Sequence, residues 1–600
     1  MKISVSDYIF ERIYKEKVRD VFMVSGGGIM HLTDALYRNS KLRYWCNYHE
    51  QASAIAAEGY ARINKTIGVC LVTTGPGSTN TITGVAGAWV DSIPMLVLSG
   101  QVRTQIIADY SYQRQVGPQE IDIISSIKPF TKYSKTLMRP SDIVYELEKA
   151  IYLANSGRPG PVWLNIPLDV QSAIIDLDKC KNFLPPSLLI AKSMPKIFLK
   201  AFNLIKESSR PVLILGNGVR LSNSEKFLDS LLKILNIPIL TTMSSMDLIP
   251  ENHSLFQGRI GPGGQRRANF ALQNSDLVIA IGTSLSISCI GFSDQVAPGA
   301  KKILVNIDKG DLDKKNIKID LKILADAGYF ICNLKNYFTK YSYIPNKKWI
   351  NTCKFWKKNY STLPDQNLLE KKYVDIYLFY EYLSKKMSSK DILVTGNSLD
   401  GCVVAYQNYK TKKGQRAFTS VCMGGMGWDL PAIIGATVAA AKETTGVLVT
   451  GDGSILFNIH ELMTISLNKL NIKIFISNND GYQCMRNTQD RFFDGRQIGA
   501  DNKSGVGNPN FRDLAKAFGI RYLKINNNNE ILDKINDAFS DTLPCFVELI
   551  VSRKQKRFRV TSYKKSDGSI ASRPLEDMDP LLSREELKMN MSFFNTNYAE

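Results

Sequence analysis

Two glycine-rich strand ends carry the first chemical signal. Gly451-Asp452-Gly453-Ser454 ends one apolar run, and Asn478-Asn479 ends the next, with residues 454–477 between them. The spacing predicts a strand end, a glycine turn, a helix of about twenty residues and a second strand end. Glycines let backbone N–H groups approach a diphosphate at a helix N-terminus. Asp452 and Asn479 then offer oxygens from adjacent strands. Mg²⁺ takes about six oxygens and is commonly held by one or two protein groups plus phosphates. GDG is a common turn and Asn-Asn a common loop, so the weight rests on the pair in this strand–helix–strand setting. A second constellation lies far away, where Tyr48-His49-Glu50-Gln51 precedes the alanine-rich ASAIAAEGYAR (52–62). Taken alone it is a helix start, where a glutamate is favourable.

The elements that must position these residues are legible as short apolar runs: GVCLVTT (68–74), PMLVLSG (94–100), PVLILGNG (211–218), DLVIAIGT (276–283), KILVNID (302–308), GVLVTGDG (446–453) and IKIFISNN (472–479). Each ends in Gly, Asn, Thr or Asp and is followed by a helix-like segment. That alternation indicates α/β architecture with parallel doubly wound sheets, whose ligands bind at the carboxyl ends of the strands. Composition shifts near 180–200 and over 340–370 suggest linkers. The expected domains are 1–175, 190–340 and 368–552, with a tail, 553–600. The N-terminus reads as an amphipathic helix with Ile9 and Ile13 inward and Ser6 as its N-cap, not as a secretory signal.

The 600 residues exceed one core, and 44% hydrophobic content is ordinary. No run approaches the ~18 apolar residues of a membrane span. The 10 cysteines form no C-x-x-C pair, which suits reduced thiols in the cytosol. The net charge of +20 is spread along the chain except for Arg553, Lys554, Lys556, Arg557 and Arg559. With no nucleic-acid motif present, a solvated basic surface is the expected reading and nucleic acid is not an expected partner.

On these residues the chain resembles the acetolactate-synthase family of thiamin-diphosphate enzymes over about residues 1–552. The GDG…NN segment is similar to the superfamily's cofactor motif. The resemblance implies that Asp452, Asn479 and the backbone carbonyl of Gly481 hold Mg²⁺, and that Gly451, Gly453, Ser454 and Tyr482 contact the cofactor. The block from His49 resembles the family's HEQ-A-x-x-A-A-x-G-Y-A-R region, which implies that Glu50 shares a proton with N1′ of the aminopyrimidine. Burial would keep such a carboxyl near working pH. Thr73 to Asn80 resembles the TSGPGATN loop and brings in Pro76 and Asn80. Gln119-Glu120 resembles the FQE turn. Gly424-Gly425-Met426-Gly427 with Leu430-Pro431 resembles GTMG-x-x-LP, where the Gly424 carbonyl would accept from the 4′-amino group and Met426 would prop the bent cofactor. Gly396-Asn397-Ser398 would touch the diphosphate. Gly26 and Gly27 stand in place of the family's GYPGG glycines, with His31 shortly after. His31, Glu50 and Gln119 are the expected catalytic residues. The implied fold is three doubly wound domains: pyrimidine-binding, central Rossmann-like and diphosphate-binding. The implied assembly is a homodimer or homotetramer with Glu50 of one chain facing Asp452 of another.

The departures concern the acceptor. The family's active-site tryptophan is Thr488 here, and the phenylalanine before the FQE glutamine is Pro118. Losing two aromatics predicts a wider, more polar pocket. Arg486 and Arg491 read either as surface or as a clamp for a carboxylate or phosphate. The central domain offers Gly216-Asn217-Gly218, Gly282-Thr283 and Asp308 at strand ends. Ser284–Ser288 stands where the family has a flavin-associated Arg-Phe-Asp-Asp-Arg, which leaves FAD, another nucleotide or no occupant open. The block 567–586 resembles the tail of thiamin enzymes associated with bacterial surface-polysaccharide synthesis. The expected reaction is decarboxylation of a 2-oxo acid such as pyruvate, with transfer of the two-carbon unit to a carbonyl acceptor such as a nucleotide-activated keto-sugar. The alternatives are acetolactate synthase proper, a simple 2-oxo acid decarboxylase and a non-catalytic cofactor-binding protein.

Overall fold

Each of the apolar runs becomes a strand, and the strands assemble into three six-stranded sheets whose pairings are all parallel. The computed structural model describes residues 1–186, 194–291 and 296–592. Part of the linker expected near 180–200 falls on residues 187–193, outside the described residues. The first sheet runs Arg43–Cys46, Asp20–Met23, Gly68–Val72, Met95–Gln101, Pro161–Pro167, Tyr133–Thr136 from edge to edge. The third runs Arg416–Phe418, Ile392–Thr395, Gly446–Gly451, Ile472–Asn478, Cys545–Ile550, Arg521–Ile525. Numbered within each domain, both have the order 2-1-3-4-6-5. The middle sheet is Phe256–Arg259, Ile239–Thr241, Pro211–Leu215, Leu277–Ile281, Lys301–Asn306, Leu321–Leu324, the order 3-2-1-4-5-6 of dinucleotide-binding domains. In every case the strand order reverses beside a glycine-bearing strand end, and a ligand crevice opens at such a switch point.

The first and third domains share one core, through helices Glu50–Asn64 and Asp429–Ala439. Both helices are buried almost all round, as expected of elements held between layers. Their close approach needs glycine. A methyl at Gly59 would lie 2.2 Å from the Ala432 carbonyl oxygen, and one at Gly435 would lie 1.8 Å from that of Ala56. Gly435→Ala should therefore force the helices apart. Overpacking of this kind costs about 1–3 kcal/mol or more, so the thermal midpoint should fall. An unchanged midpoint would show that this packing is soft.

Several local expectations are corrected. The N-terminal helix is Val5–Lys15, and its cap is Ser4, whose hydroxyl accepts from the Asp7 N–H (3.1 Å). Ser6 lies inside the helix, and its hydroxyl donates to the Gln171 carbonyl (2.8 Å). Residues 454–477 do not form one helix. A 3₁₀ segment, Ile455–Glu461, kinks at Asn458 before the short helix Leu462–Leu467. The kink is held because Asn458 Nδ2 donates to the Gly427 carbonyl (2.8 Å). Within 340–370 a helix, Lys347–Asn359, seats Trp349 and Trp356 against the central core. Residues 553–592 are no free extension. Arg266 donates to the Met578 and Pro580 carbonyls, and Asn274 to that of Asn590, so this segment packs on the helix Arg266–Gln273. The basic cluster is likewise not all solvated. Arg559 is buried, donates to the Ser361 and Thr362 carbonyls, and is pushed down to about 10 by burial. All ten cysteines are free. Among the described residues no helix is long and apolar enough to cross a membrane.

Candidate active site

The third sheet delivers its candidate residues to one place. Strand Gly446–Gly451 ends at Asp452, whose carboxylate is buried. Its Oδ2 accepts from Gly481 N (2.8 Å), Asn479 N (3.2 Å) and Asn508 Nδ2 (2.7 Å), and its Oδ1 from Gly453 N (2.8 Å). Burial nevertheless wins over these donors and pushes the carboxyl up to about 6. A carboxylate so enclosed is short of positive charge.

The Asn479 amide is oriented by its surroundings. Both of its N–H groups are taken, by Asp400 Oδ2 (3.1 Å) and Gln483 Oε1 (3.1 Å). Its Oδ1 is therefore the atom left facing a donor or cation, and Arg486 Nη2 reaches it (3.0 Å). Arg486 also donates to the carbonyls of Asn479 (2.7 Å), Asp480 (2.9 Å) and Ala500 (3.3 Å). It is buried, so the surface reading does not hold. Its contacts brace the 479–481 turn. The left-handed turn at Gly481 (φ 116°) lets that loop close over Asp452.

The remaining loops converge on the same edge. Gly396 approaches Asp429 so closely that a methyl would sit 2.1 Å from its Oδ2. Asn397 Nδ2 donates to the Gly424 carbonyl, and Gly424 adopts φ 62°. Ser398 Oγ caps the following turn by accepting from Gly401 N (2.8 Å). Ser454 Oγ accepts from Gly427 N (3.0 Å), and Met426 is half-buried beside it in sequence. Tyr482 lies against Gly453, where a methyl would come within 2.0 Å of its ring.

The first sheet assembles a second group. Glu50 opens helix Glu50–Asn64 behind His49, whose Nδ1 accepts from Gln51 N (3.1 Å). Asn80 Nδ2 donates to Glu50 Oε2 (3.0 Å) across the Pro76–Asn80 helix. Gly26 packs on Thr73, Gly27 faces open space, and Gly28 N donates to Thr73 Oγ1 (3.1 Å). Gln119, at φ 65°, brings its carbonyl onto Gly75, where a methyl would meet it at 2.1 Å. Glu120 anchors that turn: burial raises its carboxyl, but N–H groups of Ala108, Val116 and Gly117 outweigh this and hold it below the usual range. His31 is half-buried and makes no hydrogen bond among the described residues. Glu50 is half-buried rather than enclosed, unlike the buried carboxyl expected.

These two groups are not joined through Glu50 within one chain; its only hydrogen-bond partner among the described residues is Asn80. Besides the shared helix packing, the domains are tied by Glu461, fully buried, which accepts from Asn47 Nδ2 and Tyr48 N (2.8 Å each), and by Trp428 Nε1 donating to Glu58 (2.8 Å). Sequence reasoning missed Glu461, Asp400 and Asn508, none of which sits in a recognisable motif.

Matches to family sequence models cover three stretches of the chain. Residues 3–126 match the thiamine pyrophosphate enzyme N-terminal TPP binding domain, 199–334 the central domain and 401–549 the C-terminal TPP binding domain. The chain belongs to the thiamine pyrophosphate enzyme family. It is 32% identical over 565 residues to a probable acetolactate synthase large subunit of Methanococcus aeolicus, covering 91% of this chain and 92% of that one. It is 30% identical over 583 residues to the acetolactate synthase large subunit of Cyanidium caldarium, covering 94% and 95%. This thiamine pyrophosphate enzyme is therefore acetolactate-synthase-like, and the non-catalytic alternative recedes. Glu50 and Gln119 lie within the N-terminal match, and Asp452 and Asn479 within the C-terminal one.

The donor set can be tested against a divalent ion. Among the described residues no three His, Cys, Asp or Glu side chains cluster to hold a metal. One carboxylate, one oriented amide oxygen and backbone carbonyls suit an ion that draws its other ligands from phosphates and water, as Mg²⁺ does. The cation-poor Asp452 fits that need.

A crevice opens at the central domain's switch point, walled also by Arg62, Asp91 and Arg158 of the first domain and Val421 and Cys422 of the third. A cavity of about 440 Å³ is lined by Asn217, Gly218, Gly282, Thr283, Asn306 and Asp311, with Ser284, Ser286 and Ser288 on its wall. Asp308 does not face it freely; its carboxylate accepts from Arg158 Nη1 (2.9 Å) and Gly310 N (2.8 Å).

Proposed function

We propose that the chain joins a two-carbon fragment of a 2-oxo acid, pyruvate first, to a carbonyl acceptor, using thiamin diphosphate held through Mg²⁺. A nucleotide-activated keto-sugar is the acceptor of this reading. Thiamin diphosphate, when bound, supplies the electron sink that decarboxylation of a 2-oxo acid needs. Asp452 Oδ, Asn479 Oδ1 and the Gly481 carbonyl would hold the ion, braced by Asp400, Gln483 and Arg486. Gly396–Ser398 and Gly451–Ser454 would cradle the diphosphate, with Tyr482 walling it in. Glu50, oriented by Asn80, would hold or release a proton at its Oε atoms toward the aminopyrimidine. Gly424 would accept from the amino group and Met426 would support the rings from below. Gly26, Gly27, Pro76, Gln119 and His31 would border the reacting end and limit water there.

The family resemblance places Glu50 of one chain opposite Asp452 of another, so the complete site is assigned to a homodimer or tetramer. The central crevice is assigned a nucleotide, FAD among the candidates; a yellow purified protein with a flavin spectrum would support FAD. A cytosolic location suits the free thiols.

The observation that carries the acceptor reading is Thr488. It is exposed on the wall of a cavity of about 720 Å³, where the resemblance places a pocket-filling tryptophan. Acetolactate synthase itself remains the second reading, favoured by identity to such enzymes over nine-tenths of the chain. Mass spectrometry of products from labelled pyruvate, alone and with aldehydes and keto-sugars, separates the two. Cross-products should dominate over acetolactate, and Thr488→Trp should shift the ratio toward acetolactate several-fold. Acetolactate as the main product of the wild-type chain with acceptors present would remove the first reading.

A further inference from the structure

The cavity beside Thr488 has a charge pattern of its own. One wall is helix Gln483–Phe492 and the other is the 553–558 segment folded back from the third sheet. Its lining carries Arg491, Arg553, Lys554, Lys556 and Arg557 against two acids, Asp490 and Asp579. Arg553 is engaged, paired with Asp480 and Asp501. The other four cations form no ion pair among the described residues. Arg491 donates to the Ser562 hydroxyl (3.4 Å) and lies over the Phe492 ring, and the Nε of half-buried Arg557 is an enclosed donor without an acceptor. Asp490 is occupied by Gln497 Nε2 (2.8 Å).

Four cations without an ion pair outnumber the two acids around one concavity, repel each other and leave a donor unsatisfied, which an anion of more than one charge would relieve. A monocarboxylate acceptor such as pyruvate would need a single arginine fork. Two of its lining residues adjoin the candidate active site along the chain. Leu399, on its wall, follows Ser398 of the diphosphate loop, and Cys484 follows Gln483, the partner of Asn479.

We propose that this cavity binds the phosphate or diphosphate of the acceptor, so that the acceptor class is a phosphate-bearing or nucleotide-linked carbonyl compound, with Arg491, Lys554, Lys556 and Arg557 as specificity-determining residues. The inference rests on the carboligase reading above.

The test titrates the full-length chain, saturated with thiamin diphosphate and Mg²⁺, with UDP by calorimetry, and with uridine as the uncharged control. UDP should bind and uridine should bind at least about tenfold more weakly, the worth of one charge-assisted contact. Lys554→Gln/Lys556→Gln, both exposed and unpaired, should weaken UDP about tenfold or more, as should Arg557→Gln. Added salt should weaken the wild-type complex more than either variant's. The double-lysine variant covers the case in which Arg557→Gln does not fold. UDP affinity unchanged in both variants overturns the proposal, because the nucleotide then sits elsewhere, the central crevice included. Absence of UDP binding to the loaded wild type overturns it too. Failure of the wild type to bind thiamin diphosphate is a different result: it removes the carboligase reading itself.

Discussion

Glu50→Gln should leave thiamin diphosphate bound within a few-fold of wild type and lower CO₂ release from pyruvate by about 10²–10⁴, the usual worth of a positioned acid–base group. The reasoning is geometric. Glu50 is the first residue of a helix whose cap is His49, so its position does not depend on its charge. Asn80 can donate to a glutamine carbonyl as it does to the carboxylate, which keeps the side chain in place. What the amide loses is the ability to exchange a proton at that position. In the proposed site cofactor binding would draw mostly on the other group of residues, around Asp452, so it should survive. Binding is read by calorimetry and turnover by trapped CO₂. Turnover equal to wild type would remove Glu50 from the reaction. Loss of binding together with turnover would instead make it a cofactor anchor.

The sequence disclosed most of the architecture for a physical reason. Central strands of parallel sheets are buried on both faces, so they read as unbroken apolar runs, and their glycine-bearing ends mark the crevices. Edge strands gave no such signal. Arg43–Cys46, Tyr133–Thr136 (YSKT) and Arg521–Ile525 face partly outward and carry mixed residues, so nothing in their composition marks them. The loops of the candidate site were legible because they need glycine, asparagine and aspartate in fixed order. Their supports were not. Asp400, Asn508 and Glu461 act through contacts 56 or more residues away in sequence, and Arg486 folds back on residues within 14 positions; each has an unremarkable local sequence. Arg486 illustrates the limit: an arginine on a polar helix reads as surface, yet the backbone carbonyls of Asn479, Asp480 and Ala500 converge on it and draw it inside.

Asp452→Asn should weaken Mg²⁺-dependent binding of thiamin diphosphate by about a hundredfold or more, beyond the 10–100-fold typical of residues that only support a metal ligand. The substitution is nearly isosteric, and the N–H donors of Gly481 and Asn479 can still meet its carbonyl oxygen, so the loop should persist. The pH dependence gives an independent check. The folded-state carboxyl is raised from 3.8 to about 6 because burial disfavours its charge. A raised acid gives the cation-free fold a cost that is absent below about pH 3.8 and fully present above about pH 6. A divalent ion needs the charged form and relieves that cost. Metal-dependent binding should therefore fall as pH drops through about 6, approaching tenfold per unit below it. Chelator should lower the thermal midpoint more at neutral pH than at pH 5, since only above the raised value is the unpaired charge present to be penalised. Asp452→Asn has no carboxyl there to titrate, so its midpoint should respond to neither chelator nor this pH step. A variant that kept the wild-type response to both would place the ion at some other group.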